Sequence, residues 1–413
     1  MFHPKVKLLS KGPPLKSGVK RDVVKKVYPN DALPVSKVKG HLITIDSRST
    51  QISQLKFSLE GQSLAVAAAN SEAYTFKLPL SANKSCVYSG HSGVVHSCNW
   101  SYSGQLLLTA SADKTVKLWQ RDMGSSVMTL NKLEGNLDPP SHTDLKKSQQ
   151  VLPGECRSAQ FFYLDKFILA ACANSVLLYK YHVDMAKDDL KRYENKSKYK
   201  LVSQQTVESA HHITSLSAVN TFYSHLVLVT CSDRSIQVLD MNRSTQSIIS
   251  QDCHSKPAHH ITQNEESLYS TLPYSTYDLF LTAAVGDGLK LWDLRTQSCV
   301  RKFNLHTSKA FPCTCEFSPD GKYIATGSED NSFYVYDIGS GKVVSRVKDP
   351  SAVCTNVAFH PLYSQVYYIY IYYILYIYIY IYIYIIIYIY IYNIYIYNVY
   401  IICNIKISIV ALF

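Results

Sequence analysis

The chain has 413 residues, a formal net charge of +11 and 11 cysteines. This length allows one large domain with a substantial core. The cysteines occur singly and in odd number, without C-x-x-C spacing, which argues against a secreted disulfide framework. No apolar signal-peptide segment follows Met1, so secretion is not indicated. The composition therefore predicts free thiols in a reducing compartment, with a cytoplasmic or nuclear location.

Residues 1–40 form a basic segment that carries most of the net charge. They contain ten Lys or Arg and two Asp or Glu, together with Pro and Gly and little hydrophobic periodicity. Such a composition is typical of a flexible arm. The arm could be a solvated linker, or it could contact nucleic acid or an acidic partner through clustered lysines.

Residues 90–119 contain the most informative motif. A Gly-His pair is followed by an alternating strand, a Ser-Gly turn, the strand LLLTAS, an Ala-Asp-Lys turn and the strand TVKLW. Period-2 alternation between such turns predicts three antiparallel strands of one small sheet.

The motif recurs along the chain. A polar turn followed by a strand with a large apolar or aromatic closing residue appears six times, and these closing residues are Phe76, Trp119, Tyr179, Leu239, Trp292 and Tyr336. Their spacings are 43, 60, 60, 53 and 44 residues. The short spacings match the roughly 40–45-residue period of a propeller blade. The longer ones indicate loop insertions, which we place at Leu130–Leu152, Met185–Ser209 and Ser244–Tyr274.

These motifs resemble the WD-repeat family. The resemblance implies an all-β fold, a WD-repeat β-propeller with about six blades plus an unfinished seventh. The propeller would occupy residues 41–365, with blades near 41–80, 90–130, 154–182, 210–243, 257–303 and 306–347 and a partial blade at 350–365. The family also implies a scaffold for protein–protein interactions, although a propeller fold by itself does not define a function.

The resemblance further implies a structural tetrad in the second blade. His91, a hydroxyl from Ser111 or Thr109, Asp113 and Trp119 would be linked by hydrogen bonds, so that polar groups satisfy one another inside the blade. Ser111 is the preferred hydroxyl. A second set retains most of these residues, namely His306, Ser328, Asp330 and Tyr336.

The remaining blades depart from this pattern. Asn70 and Asn174 stand where the turn Asp is expected, Leu239 replaces Trp, and the turn before Trp292 is one residue shorter. No tetrad is expected in these blades, which should depend more on packing.

Catalytic, cofactor and metal sites are not indicated. His, Ser and Asp could suggest a hydrolase, but their order follows the blade and no nucleophile elbow is present. Cys253, His254, His259 and His260 form a cluster that could hold zinc, but they lack paired-ligand spacing. We expect no enzyme activity and no cofactor.

Residues 366–413 form a low-complexity tail of alternating Tyr and Ile. No charged residue occurs between Asp349 and Lys406. The tail could be an aggregation-prone strand, a membrane span at Val366–Tyr400, or the translation of a thymine–adenine dinucleotide repeat that follows an interrupted seventh blade. The last interpretation is preferred, and it predicts a ring left open with unpaired edges.

The sequence therefore predicts a non-catalytic scaffold with protein partners. A tail-anchored membrane adaptor is one alternative. A nucleic-acid-associated protein that uses the Lys-rich arm is another.

Overall fold

The computed structural model describes residues 51–78, 86–133, 151–183, 197–221, 225–264, 278–348, 353–362 and 366–371, with the backbone alone for 367–371. In these ranges 26 strands form seven antiparallel sheets, or blades, and the strands of each blade follow one another in chain order. The all-β fold class is confirmed.

The first three blades contain twelve strands: β1 (Ile52–Phe57), β2 (Ser63–Ala68), β3 (Glu72–Lys77), β4 (Cys86–Ser89), β5 (Val95–Trp100), β6 (Leu106–Ser111), β7 (Val116–Gln120), β8 (Ser126–Leu130), β9 (Cys156–Phe162), β10 (Phe167–Cys172), β11 (Ser175–His182) and β12 (Lys198–Thr206). The next three contain twelve more: β13 (Ile213–Ala218), β14 (Leu226–Cys231), β15 (Ile236–Asp240), β16 (Thr245–Ser250), β17 (Ala258–Gln263), β18 (Leu279–Ala284), β19 (Gly288–Asp293), β20 (Ser298–Phe303), β21 (Cys315–Phe317), β22 (Tyr323–Gly327), β23 (Ser332–Asp337) and β24 (Val343–Lys348). The seventh blade is a hairpin of β25 (Val353–Phe359) and β26 (Val366–Ile371).

The six closing residues of the repeat occupy equivalent places. Each lies on the third strand of its blade and is buried: Phe76, Trp119, Tyr179, Leu239, Trp292 and Tyr336. Their aromatic and aliphatic side chains pack between neighbouring blades. Tyr179, for example, shares a cluster with Leu118 and Leu130 of the preceding blade.

Two segments interpreted as loop insertions contain strands. Met185–Ser209 includes β12, and Ser244–Tyr274 includes β16 and β17. β12 and β16 are the outermost strands of their blades. Their sequences are polar because much of such a strand faces solvent, so the apolar alternation that marks an inner strand is missing.

The first strand of each blade lines a central channel. Side chains on each of these inner strands bond to the backbone of the inner strand that follows around the ring, because an inner strand has no other strand on that edge. The seven junctions include Gln54 to Cys98 N (2.9 Å), Asn99 to Ala159 O (2.7 Å), Gln160 to Ala218 N (2.8 Å), Ser217 to Gln263 N (3.1 Å), His260 to Cys315 O (3.0 Å), Glu316 to Phe359 N (2.7 Å) and Asn356 to Ile52 O (2.9 Å).

The seventh hairpin closes the ring. Ala358 packs in the cluster of blade 1 that contains Ile52, and His360 Nε2 donates to the carbonyl of Gly61 at 3.0 Å. Gly61 has φ +67°, and a Cβ there would lie 2.5 Å from the His360 ring, so this approach requires glycine. The expectation of an open ring is therefore wrong, because one inner strand is enough to join blade 7 to blade 1.

The start of the Tyr/Ile segment belongs to this hairpin. β26 begins at Val366 and pairs with β25 over its whole length, from Phe359↔Val366 to Val353↔Ile371. The boundary predicted between residues 365 and 366 thus falls inside a blade. The rest of the predicted tail and the basic arm lie outside the described residues.

Candidate functional site

The predicted tetrad of blade 2 is a continuous chain of hydrogen bonds. His91 Nδ1 lies 2.8 Å from Asp113 Oδ2, and His91 Nε2 lies 2.7 Å from Thr109 Oγ1. The indole N–H of Trp119 donates to Thr109 Oγ1 at 2.8 Å. The structure therefore connects four side chains from the loop before β5, from β6, from the β6–β7 turn and from β7.

Thr109, not Ser111, supplies the hydroxyl, which corrects the preferred assignment. Ser111 Oγ donates to the carbonyl of Gly93 at 3.0 Å and accepts the N–H of Asp113 at 3.2 Å. It fixes the turn that holds the carboxylate. The strand register explains the difference, because Trp119 lies opposite Leu107, so Thr109 is its nearest diagonal neighbour on that face of β6 and Ser111 lies two residues further away.

Blade 5 contains a second complete tetrad that the sequence reasoning missed. His254 Nδ1 lies 2.9 Å from Asp287 Oδ2, and His254 Nε2 lies 2.8 Å from Thr282 Oγ1. Trp292 donates its indole N–H to Thr282 Oγ1 at 2.9 Å. The shorter turn is accommodated by Gly286 and Gly288, both at positive φ. The residue types alone, His, Thr, Asp and Trp in chain order, could have revealed it.

The set predicted in blade 6 does not assemble as a tetrad. His306 Nδ1 lies 3.1 Å from the Tyr336 hydroxyl, but Asp330 instead accepts from the Tyr334 hydroxyl at 2.6 Å and from Arg346 at 2.7 Å. Ser328 Oγ accepts from the N–H of Thr307 at 2.9 Å. Tyr336 has a phenol hydroxyl where Trp119 has an indole N–H, and His306 pairs with this hydroxyl.

Burial disfavours the charged form of both tetrad histidines. Burial lowers the pKa of His91 despite the adjacent carboxylate of Asp113, and burial lowers the pKa of His254 to about 4. With Nδ1–H donated to the carboxylate, Nε2 accepts the threonine hydroxyl. This arrangement stabilises the blade and leaves no free nucleophile.

The histidines that were considered and rejected as zinc ligands take part in structural contacts. His254 belongs to the tetrad, while His259 and His260 donate from Nε2 to the carbonyls of Cys313 and Cys315, each at 3.0 Å. In the described ranges no three His, Cys, Asp or Glu side chains come together as a metal site. The ten described cysteines are free thiols, and eight of them are buried.

The central channel is the candidate binding site, because every blade contributes to it. At the carboxyl ends of the inner strands lies a mouth of about 140 Å³, which we call the aromatic mouth. Its lining comes from all seven blades and includes Phe57, Trp100, Tyr102, Phe161, Asn220, Gln263, Asn264, Phe317, Pro319 and Pro361.

The amino-terminal half of the channel is more polar. A cavity of about 290 Å³ lies there, and it is lined by Ser, Thr, Gln and Asn together with Lys56, His96, Arg157, His259, His260 and Glu316. Neither half of the channel was identified from the sequence. A usable signal is the polar residue that follows the first residue of several inner strands.

Residues 83–120 and 297–337 match the family model described as WD domain, G-beta repeat. The fold is a WD-repeat β-propeller. Within the part of the propeller that the structure describes, no helix has the length and apolarity of a membrane span.

The propeller is also similar to several curated WD-repeat proteins. It is 23% identical to WD repeat-containing protein 70 of Xenopus tropicalis over 66% of this chain and 41% of that protein. It is 23% identical to THO complex subunit 3 of Arabidopsis thaliana over 70% of this chain and 91% of that protein. It is 37% identical to the U5 small nuclear ribonucleoprotein 40 kDa protein of Bos taurus over 16% of this chain and 19% of that protein. The chain spans about half or less of most of the relatives that it matches.

Proposed function

We propose that this WD-repeat propeller is a non-catalytic scaffold that binds protein partners at the aromatic mouth of its channel. One observation carries the proposal: seven blades converge on one concave site that combines aromatic rings with side-chain amides. Concave sites of this composition favour protein recognition, because rings supply apolar area and amides supply directional hydrogen bonds.

The aromatic mouth offers both kinds of contact. Tyr102 is 42% exposed, and its backbone N–H is held by Asp165 Oδ1 at 2.8 Å, which fixes the loop that presents the ring. Gln263 Oε1 and Asn264 Nδ2 are buried without a hydrogen-bond partner. An acceptor and a donor on adjacent residues match the N–H and C=O of a peptide backbone, and pairing would remove the cost of leaving them unpaired.

The relatives support an assembly role. THO complex subunit 3 is by its name a subunit of a complex, and the U5 small nuclear ribonucleoprotein 40 kDa protein is by its name part of a ribonucleoprotein. Propellers of this kind generally act as scaffolds. By analogy we propose that the chain works within a protein assembly in the cytoplasm or nucleus.

Nothing in the described residues favours the two alternatives. The Lys-rich arm at 1–40 lies outside those residues. The first six residues of the span considered at Val366–Tyr400 form β26. A closer kinship also stays a proposal: residues 19–46 and 89–119 resemble the C-terminal propeller of WD repeat-containing protein twenty-seven.

The experiment is partner capture with tagged full-length chains. Tyr102→Ser removes an exposed ring from the aromatic mouth, and Ile248→Ser removes an apolar side chain of similar exposure, 47%, from the outer strand of blade 4. We expect partners of the unmodified chain to be lost from Tyr102→Ser and retained by Ile248→Ser, with unchanged thermal melts. Partners retained by Tyr102→Ser, or lost equally from both variants, would show that the mouth is not the binding site.

A further inference from the structure

A β-bulge recurs near the start of six of the seven inner strands. The pairing register of the inner strand shifts by one residue directly after its first paired residue in β1, β5, β9, β13 and β17, and after its second paired residue in β25. The extra residues are Ser53, His96, Arg157, Thr214, His259 and Thr355, which together we call the bulge ring. A bulge re-aims the side chain of the extra residue, and bulges often occur beside functional sites.

All six residues of the bulge ring line the cavity of about 290 Å³ in the amino-terminal half of the channel. The ring contains one Arg, two His and three hydroxyl residues, and it contains no carboxylate. This composition provides hydrogen-bond donors and one fixed positive charge around a single space.

Several of these groups have capacity to bind a ligand. His96 Nε2 and His259 Nδ1 are buried without hydrogen-bond partners. The Arg157 side chain is 39% exposed, and its guanidinium contacts Glu155 at 3.5 Å, a long separation for an ion pair. Thr214 is committed to the blade, because its hydroxyl lies 2.9 Å from Thr230 Oγ1.

The one acidic residue in the cavity lining is already neutralised. Glu316 Oε1 accepts from Lys56 Nζ at 3.3 Å, and Glu316 Oε2 accepts from the N–H of Phe359 at 2.7 Å. Its carboxylate therefore holds a blade junction together. Arg157 is the remaining charged side chain of the lining, and its ion-pair partner Glu155 lies outside the lining.

We propose that the bulge ring binds an oxyanion, a phosphate or a carboxylate, carried by a side chain of a partner polypeptide. Arg157 supplies a charge-assisted, forked contact, and the N–H of His96 and the hydroxyls of Ser53 and Thr355 complete the donor set. His259 donates through Nε2 to Cys313, so its Nδ1 accepts an N–H or O–H of the ligand. The inference rests on the proposed function, because it states which chemical group, an oxyanion, is carried by the partner segment that enters the channel.

The experiment measures direct binding of three capped tripeptides to the full chain by isothermal titration calorimetry. The central residue is phosphoserine, glutamate or serine. Arg157→Gln tests the site, and Arg295→Gln is the matched control, because Arg295 is an exposed arginine paired with Asp293 on an outer turn of blade 5. His96→Gln is a second site variant, and thermal melts confirm that each variant is folded.

We expect an anionic tripeptide to bind saturably and the serine tripeptide not to bind. Arg157→Gln should weaken binding by about tenfold or more, because it removes a charge-assisted contact, whereas an exposed pair such as that of Arg295 contributes little. Preference for phosphoserine or for glutamate identifies the source of the oxyanion.

Three results would overturn the inference: no saturable binding of either anionic peptide, binding unchanged in both Arg157→Gln and His96→Gln, or an equal loss in Arg295→Gln. A single-stranded RNA heptamer that displaces the peptides and depends on Arg157 would assign the ring to nucleic acid instead. None of these results would affect a finding that partner capture depends on Tyr102. The proposal for the aromatic mouth and the proposal for the bulge ring are therefore tested independently.

Discussion

Replacing Thr109 with Val tests whether the tetrads or general packing hold the blades together. The substitution keeps the shape of a fully buried side chain but removes a hydroxyl that accepts from Trp119 Nε1 at 2.8 Å and lies 2.7 Å from His91 Nε2. Two buried polar groups lose their partner. At about 1–3 kcal/mol for each unsatisfied group, we expect a loss of roughly 2–4 kcal/mol in the free energy of unfolding after partial relaxation.

Blades 4 and 5 supply matched comparisons. Thr282→Val should cost as much as Thr109→Val, because Thr282 has the same two partners, His254 and Trp292. Thr230→Val should cost about 1 kcal/mol, since its blade has Leu239 in place of the indole and only hydroxyl and carbonyl groups are affected. These differences in the free energy of unfolding are measured by urea unfolding, followed by tryptophan fluorescence. Native-state hydrogen exchange shows which blade loses stability. A Thr230→Val variant as damaged as Thr109→Val would refute the argument that the indole–hydroxyl–imidazole chain is the stabilising unit.

The remaining predictions concern acidity, the tail and ring closure. Burial lowers the pKa of both His254 and His306 to about 4 from an ordinary 6.5. The unfolded chain therefore binds more protons than the folded chain below pH 6.5, and the free energy of unfolding falls by about 3 kcal/mol for each histidine as the pH drops to 4. In urea melts, His254→Asn should make the free energy of unfolding depend less steeply on pH. A chain ending at Ile371 should melt at a higher temperature than one ending at Gln365, because the shorter chain lacks β26 and leaves β25 unpaired; equal melting temperatures would contradict the pairing. Both truncations should be more soluble than the full chain in sedimentation assays, since each removes a long uncharged stretch of high β propensity. Asn356→Ala should cost about 1–3 kcal/mol in the same urea melts, because the carbonyl at the start of β1 loses its buried donor.

The architecture was predictable because its signals are local. Turns followed by strands with a large closing residue mark the third strand of each blade, and residues such as Trp119 and Tyr179 lie where that pattern places them. Strand β12 was missed because an outermost strand faces solvent and its sequence does not alternate clearly. Local sequence patterns therefore identified the buried third strand of each blade better than its solvent-facing outermost strand.

The tetrads were only partly predictable because they depend on register and depth. Thr109 and Ser111 stand two residues apart on one strand, and only the pairing of Trp119 with Leu107 makes Thr109 the nearer of the two to the indole. Asp330 pairs with Tyr334 of β23 and with Arg346, and Arg346 lies on β24, which the motif does not include. The bulge ring was not identified from the strand patterns, because a bulge breaks the alternation that those patterns use, although a polar residue follows the first residue of several inner strands.

The closure of the ring has a consequence for the order of events during synthesis. Asn356 and Ile52, which bond across the last junction, are 304 residues apart in the chain. At translation rates of about 5–20 residues per second, β1 would leave the ribosome roughly 15–60 s before its partner exists. During that interval the backbone edge of β1 and the apolar side chains beneath it have no permanent cover. The nascent chain should therefore depend on a holding chaperone until β25 emerges.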